Sequence, residues 1–166
     1  MKKMTERMMS RAVNMAALSA VVVISMARAG MSEEGVQLRP VTDELTRKEC
    51  SACHMPYPAA LLPRRSWHAI LSDLGNHFGE DASLDPKSEA EIRKWLEANA
   101  ADTGGHLPGA LRGLSPDVTP LRISELPIIK RIHRYEVGAR WRKKVGSMGR
   151  CDACHRGAAQ GYFGEG

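Results

Sequence analysis

The sequence predicts an all-α fold of two small domains, and three observations support this expectation. Apolar residues from Trp67 to Phe78 recur at positions i, i+3, i+4, i+7 and i+11, which indicates one face of a helix. Asp85 followed by Pro86 is typical of a helix start, with an N-cap and then proline at the first helical position. No run of β-branched residues indicates a strand, and one five-residue motif stands near each end of the chain.

The predicted helices are short and separated by loops. Asp43 or Thr42 is expected to cap the first of them, and Ser124 the last. The glycine-rich tail after Gly157 is expected to be loose. The expected helical ranges are 44–49, about 63–77, 86 to about 100, and 124 to about 137.

The repeated motif uses every cysteine in the chain. It reads Cys50-Ser51-Ala52-Cys53-His54 in the first copy and Cys151-Asp152-Ala153-Cys154-His155 in the second. Cys-x-x-Cys-His is typical of c-type haem attachment, in which two thiols form thioethers and the histidine binds the iron. The sequence therefore predicts two covalently bound haem c groups, attached through Cys50, Cys53, Cys151 and Cys154.

Other interpretations of the cysteines are weaker. Two Cys-x-x-Cys pairs suit zinc, but a zinc ribbon keeps its pairs much closer in sequence and needs no histidine after each pair. A redox-active pair of the thioredoxin kind needs a βαβ frame, which the sequence does not indicate. Structural disulfides remain a further alternative.

Residues 1–29 resemble a cleavable signal peptide. A basic start precedes the apolar stretch Ala12–Met26, and Ala27-Arg28-Ala29 fits a small-x-small cleavage site. Removing these residues takes away five Lys/Arg and one Glu, which lowers the formal net charge from +5 to +1. The basic balance is thus no indication of nucleic-acid binding, and the protein is expected in the periplasm.

The remaining chain divides at a segment rich in glycine and proline. Residues 102–120 are expected to link an N-terminal haem domain, 30–101, to a C-terminal haem domain, 121–166. The first domain, with two amphipathic helices after its motif, is expected to be like class I cytochromes c. The second is expected to be irregular with few helices.

The second axial ligand of each iron decides what the haems can do. His77 follows His54 by 23 residues, and His133 precedes His155 by 22, so each is separated from its motif by a segment able to wrap a porphyrin. We predict the pairs His54/His77 and His155/His133. His68 is the rival for the first iron, and His106 is the rival for the second.

These residues resemble the dihaem cytochrome c family over nearly all of the chain after the signal. The resemblance is carried by both motifs and by five further stretches: 61–67, His77-Phe78-Gly79-Glu80, Ala82-Ser83-Leu84-Asp85, Pro120-Leu121-Arg122-Ile123 and Lys144-Val145-Gly146-Ser147. The resemblance implies two bis-histidine haems. It also implies redox partners, among them an oxygen-binding haem protein and a membrane cytochrome b, with membrane contact only through a partner.

The sequence therefore predicts an electron carrier that is not an enzyme. A peroxidase-like dihaem enzyme is the alternative, and it requires one haem with an open sixth position. A zinc-binding or disulfide-stapled interaction module is a third hypothesis.

Overall fold

Five short α-helices and one β-ladder make up the part of the chain that the computed structural model describes, residues 35–104 and 109–164. The helices are α1 (Glu44–Cys50), α2 (Arg64–Leu71), α3 (Pro86–Ala98), α4 (Pro127–Glu136) and α5 (Ala139–Val145), and the strands are β1 (Val36–Gln37) and β2 (Tyr162–Phe163). The described chain is mostly helical, as the sequence predicts. The predicted signal at 1–29 lies outside the described residues.

Helix α1 starts where its cap is predicted. The Asp43 carboxylate accepts hydrogen bonds from the backbone N–H of Thr46 at 2.8 Å and from its hydroxyl at 2.7 Å. These bonds satisfy a donor that the first turn of a helix leaves free. The helix ends at Cys50, so it delivers the first cysteine of the motif.

Helix α2 is shorter than predicted, since it ends at Leu71 and not near residue 77. The Ser72 hydroxyl donates to the carbonyl of His68 at 2.7 Å, and Asp73, Gly75 and Asn76 follow. Such residues favour turns because short polar side chains compete for backbone hydrogen bonds and glycine has high backbone entropy. A 3₁₀ turn, Leu74–Asn76, then leads to His77.

Helix α3 packs on α2 and completes the core. Asp85 caps it by accepting from the N–H groups of Lys87 and Ser88, as predicted. Arg93 ties the two helices together, with one bond to Glu89 at 2.6 Å and another to the Leu71 carbonyl at 2.9 Å. The buried cluster comprises Ala59, Leu62, Trp67, Leu71, Leu74, Ile92, Leu96, Ala100 and Leu126.

The C-terminal part differs from expectation at three points. Helix α4 begins at Pro127 after the buried Leu126, so the predicted cap by Ser124 is wrong. The basic segment from Arg140 to Lys144 forms α5, which the sequence did not indicate. The tail is not loose up to Gly164, because β2 pairs antiparallel with β1, with Val36 opposite Phe163.

The described residues 35–164 belong to one compact unit, in which Leu126 packs into the core formed by α2 and α3. The division into haem domains at 30–101 and 121–166 stays a prediction. Within the described ranges, no helix combines the length and the apolar character needed to cross a membrane.

Candidate haem sites

The first site brings the rings of His54 and His77 close together. The ring centres of these two residues are 6.2 Å apart, and their planes differ by 24°. His54 follows the turn that continues α1, and His77 follows the 3₁₀ turn after α2. The two predicted ligands therefore come from separate loops and meet across a gap.

The width of this gap suits one metal ion between the rings. A metal–nitrogen distance of about 2 Å and about 1 Å from each nitrogen to its ring centre add, over two rings, to about 6 Å. The observed 6.2 Å agrees with this value. The residues present thus fit an iron that is held on both sides by imidazole.

The His54 ring is oriented by the backbone next to it. Its Nδ1 lies 2.7 Å from the carbonyl oxygen of Met55, and a carbonyl can only accept, so Nδ1 carries the proton. Nε2 then keeps its lone pair, which is the atom needed for a metal bond. The same hydrogen bond fixes the orientation of the ring.

His77 is held by a strained turn. Its N–H donates to the carbonyl of Glu80 at 2.8 Å, and the N–H of Glu80 donates back at 3.2 Å. Between them Phe78 has φ of 58°, which is unfavourable for a bulky side chain. The Arg122 guanidinium lies 4.0 Å from the centre of the Phe78 ring and packs against this turn.

The electrostatic surroundings of His77 favour the neutral ring. Partial burial lowers the pKa of His77, and the neighbouring His54 and Arg122 lower it further. A neutral imidazole is the form that binds a metal. The first site is therefore prepared for an iron ligand on this side as well.

The second site repeats the arrangement with different supports. His133 lies on α4, and His155 follows the 3₁₀ turn Cys151–Ala153; their ring centres are 6.0 Å apart, with planes at 89°. Nδ1 of His133 donates to the carbonyl of Ile129 at 2.9 Å, and Nδ1 of His155 donates to that of Gly164 at 2.8 Å. Both Nε2 atoms are thus left for a metal.

Each motif has one sheltered and one exposed cysteine. Cys50 and Cys151 are half-buried, whereas Cys53 and Cys154 are exposed, and no disulfide joins any two of them. Burial raises the pKa of Cys50 to about 11 and that of Cys151 to about 11. Their apolar surroundings suit a neutral thioether better than a thiolate.

The rival ligands lie elsewhere. His68 is exposed on α2, and its Nδ1 is 3.0 Å from Glu97 Oε1 on α3, so the structure does not bring it to His54. His106 lies outside the described residues. Within the described chain no three His, Cys, Asp or Glu side chains form a group that could hold a metal, as the zinc hypothesis would need.

Tyr57 connects the two sites, and sequence reasoning missed it. Its ring stacks on His54, with centres 4.8 Å apart, and its hydroxyl donates to the carbonyl of Gly149 at 2.8 Å. Gly149 stands two residues before Cys151. Burial raises the pKa of the Tyr57 phenol, which keeps the hydroxyl protonated as a donor. Its place between Pro56 and Pro58 was the available signal.

Comparisons with known proteins identify a family for the chain. The model of the family described as dihaem cytochrome c matches residues 46–163. No curated protein matches the chain significantly. Two solved structures from Rhodobacter sphaeroides are similar to it, a diheme cytochrome c and a structure titled DHC, at 59% and 56% identity, with TM-scores of 0.72 and 0.66.

These matches extend over most of the chain. The two structures cover 77% and 75% of this chain and 100% and 99% of their own. A diheme cytochrome c from Shewanella baltica is 37% identical, with a TM-score of 0.59 and coverage of 73% of this chain and 86% of that one. The chain therefore belongs to the dihaem cytochrome c family, carries two covalently bound haem c groups and has a haem-based role in electron transfer.

Proposed function

We propose that the protein is a periplasmic electron carrier whose two irons are each held by two histidines. His54 and His77 bind the first iron, and His155 and His133 bind the second. The observation that supports this proposal is the separation of the ring centres in the two histidine pairs, 6.2 Å and 6.0 Å, which suits one iron between each pair. The haem supplies the change of oxidation state, and the protein supplies four oriented imidazoles.

Two histidines on an iron favour electron transfer over catalysis. A filled sixth position leaves no place for peroxide or oxygen to bind, and histidine in place of methionine keeps the reduction potential lower. Transfer is then outer-sphere, from the exposed edge of one cofactor to another. Tyr57 keeps the two sites adjacent through its contacts to His54 and Gly149, which favours electron exchange within the molecule.

The two haems belong, in this proposal, to two domains of unlike character. The N-terminal one, 30–101, is similar to class I cytochromes c, and its helices α2 and α3 pack around Trp67. The C-terminal one, 121–166, has only short helices and the β2 strand. Residues 102–120 connect them.

The proposed location rests on the leader and on the chemistry of haem attachment, and the proposed partners rest on the family resemblance. Haem c is attached outside the bacterial cytoplasm, and residues 1–29 have the pattern of an export signal. The partners are redox proteins, an oxygen-binding haem protein and a membrane cytochrome b. N-terminal sequencing of protein from a periplasmic extract should begin at Gly30; recovery of an intact leader from the cytoplasm would refute the location.

Optical spectra test the ligands directly. Holoprotein made in a host with cytochrome c maturation should show two low-spin haems that do not react with carbon monoxide. His77→Ala and His133→Ala should each open one ferrous haem to carbon monoxide, whereas the control His68→Ala should keep the wild-type spectrum. Opening by His68→Ala and not by His77→Ala would overturn the ligand assignment in favour of His68. One high-spin haem in the wild type that binds carbon monoxide would favour a peroxidase-like enzyme.

A further inference from the structure

Charge is distributed unevenly between the two halves of the molecule. Residues 127–164 hold nine lysines and arginines against two acidic residues, a formal charge of +7. Residues 35–126 hold ten against thirteen, a formal charge of −3. The low overall charge of the chain thus conceals a strong electric asymmetry, with the positive end at the second site.

Six of the cations are exposed on the two consecutive helices α4 and α5, and we call them together the basic surface: Lys130, Arg131, Arg134, Arg140, Lys143 and Lys144. Within the described chain none of the six forms an ion pair with a carboxylate, so their charge is available to a partner. Tyr135 lies among them and is 80% exposed, and Lys144 covers the Trp141 ring at 4.6 Å. Exposed aromatic residues among arginines are typical of binding surfaces.

Arg142 belongs to the same segment but acts within the protein. Its guanidinium donates to the carbonyls of His133 and Arg134, both at 3.0 Å. These bonds fasten α5 to the end of α4, next to the proposed iron ligand. The basic surface is therefore held in a fixed position relative to His133.

This surface lies on the outside of the helix that carries His133. At 3.6 residues per turn, Arg131 points roughly 160° away from His133 around α4, and Arg134 roughly 100° away. A protein bound there would be separated from the second site by little more than the helix, whose diameter is about 10 Å. The segment that follows His77 at the first site is negative, since Glu80, Asp81 and Asp85 are exposed there.

We propose that the basic surface is where the acidic face of a redox protein docks, so that electrons exchanged with that partner pass through the second haem site. This inference rests on the proposed carrier function. Opposite charges raise the rate of encounter and orient the molecule, because the negative first site is repelled from the same partner. A nucleic acid or an anionic membrane could also bind these cations. Neither holds a redox centre, so the position of the cations beside His133 would serve no purpose for them.

Electron transfer to proteins of opposite charge tests this proposal. The docking variant is Arg131→Glu/Lys143→Glu, and the matched control is Lys87→Glu/Lys94→Glu, which changes the net charge equally on exposed residues of α3. Reduced holoprotein is mixed by stopped flow with oxidised plastocyanin, an acidic copper protein, and separately with a basic mitochondrial cytochrome c. Second-order rates are measured over a range of salt concentrations.

At low salt the docking variant should react with plastocyanin about tenfold more slowly than wild type, and the control variant less than about twofold more slowly. The difference should vanish near 1 M salt, where the Debye length is about 3 Å. With the basic cytochrome c the docking variant should become faster than wild type. Equal slowing of both variants with plastocyanin would show an effect of net charge alone and overturn the docking site.

Two further measurements keep the outcomes separate. If phosphatidylglycerol vesicles sediment with wild type and not with the docking variant, while the rates with plastocyanin are equal, the surface binds membranes and the proposal is wrong. Failure of the carrier function would appear elsewhere, as a wild-type spectrum with a high-spin haem that binds carbon monoxide. Both variants should keep the wild-type spectrum, since neither alters a residue of the haem sites.

Discussion

The two haem sites share one motif and rest on different kinds of structure. The first lies beside a protein core, in which Trp67, Ile92 and Leu96 are buried between α2 and α3. Around the second, Ala158 is the only buried residue other than glycine in the described range 127–164. The two histidine pairs thus have similar ring separations, although the first site lies beside a core of buried side chains and the second has almost no such core around it.

The sites also hold their ligands differently. In the second site both imidazoles donate Nδ1–H to backbone carbonyls, those of Ile129 and Gly164. In the first site this holds for His54, whereas His77 is positioned by a turn with the strained Phe78. The comparison suggests that the second region depends on its haem for folding, and that the first depends on local backbone strain for its ligand.

Removing each haem separately should have the largest effect and gives the strongest test of this difference between the two sites. Covering roughly 400 Å² of apolar porphyrin at about 25 cal/mol/Å² contributes on the order of 10 kcal/mol before entropic costs. In Cys151→Ala/Cys154→Ala, amides of α4 and α5 should lose protection in hydrogen exchange, while those of α2 and α3 stay protected. In Cys50→Ala/Cys53→Ala, α2 and α3 should lose less protection. Equal losses in both regions would contradict the comparison.

Leu126 should link the stability of the two regions. It is fully buried in the core with Trp67 and Ile92, although it precedes α4 directly. Leu126→Ala should lower the free energy of unfolding by about 3 kcal/mol, because it leaves a cavity. The control Leu121→Ala removes an exposed side chain and should cost less than about 1 kcal/mol in the same denaturant titration. Similar losses in the two variants would show that Leu126 makes no special connection.

The sequence anticipated the local features and missed the long-range ones. The caps at Asp43 and Asp85 and the stripe through Trp67 depend on near neighbours, and the structure has them. The end of α2 at Leu71 was missed because the apolar spacing continues through Leu74, whereas the turn residues after Ser72 stop the helix. Helix α5 was missed because its charged residues show no apolar period.

For the haem sites, the motif histidines could be located by their spacing in the sequence. The residues that orient the histidine rings could not, because they are brought there by tertiary contacts. The structure brings His77 and His133 to the motif histidines, although the ligand assignment stays a prediction. The partners that orient the rings lie outside the motifs: Gly164 follows His155 in the tail, and Arg122, beside Phe78, comes from a distant part of the chain. Such contacts do not appear as a periodic pattern in the sequence. The glycine-rich tail likewise gives no sign that its strand β2 pairs with β1.

The tail of the second site should be sensitive to one added methyl group. Gly161 has φ of 82°, and a Cβ there would collide with the carbonyl of Leu38. Gly161→Ala should therefore lower the free energy of unfolding by about 2 kcal/mol or more and loosen the strand that leads to Gly164. The control Gly146→Ala has a similar φ of 76° and open space around it, so it should cost about 1 kcal/mol.

Thermal unfolding of the two glycine variants provides the measurement, with the optical spectrum as a local readout. Only Gly161→Ala should broaden the band of the second haem, because its Gly164 carbonyl holds His155. Equal melting temperatures of the two variants would show that the backbone around Gly161 can shift to make room for the added methyl group. The second site would then depend less on backbone packing than the comparison implies.

Arg122 should have the smallest effect, and it addresses the first site alone. A cation over an exposed aromatic ring contributes about 0.5–1 kcal/mol. Here the ring belongs to Phe78, in the turn that presents His77. Arg122→Ala should therefore let His77 leave the iron more readily, and cyanide should bind the ferric protein about two- to fivefold faster. Arg122→Lys, which keeps a cation, should restore most of the wild-type rate.

The exposed Arg112 supplies a control, since Arg112→Ala removes the same charge without touching the turn. If Arg112→Ala accelerates cyanide binding as much as Arg122→Ala does, the effect is one of overall charge, and Phe78 is held by its backbone alone. If only Arg122→Ala does so, a residue from the segment just before α4 positions a ligand of the first haem. That segment would then support the first site through Arg122 beside Phe78 and join α4 to the core through Leu126.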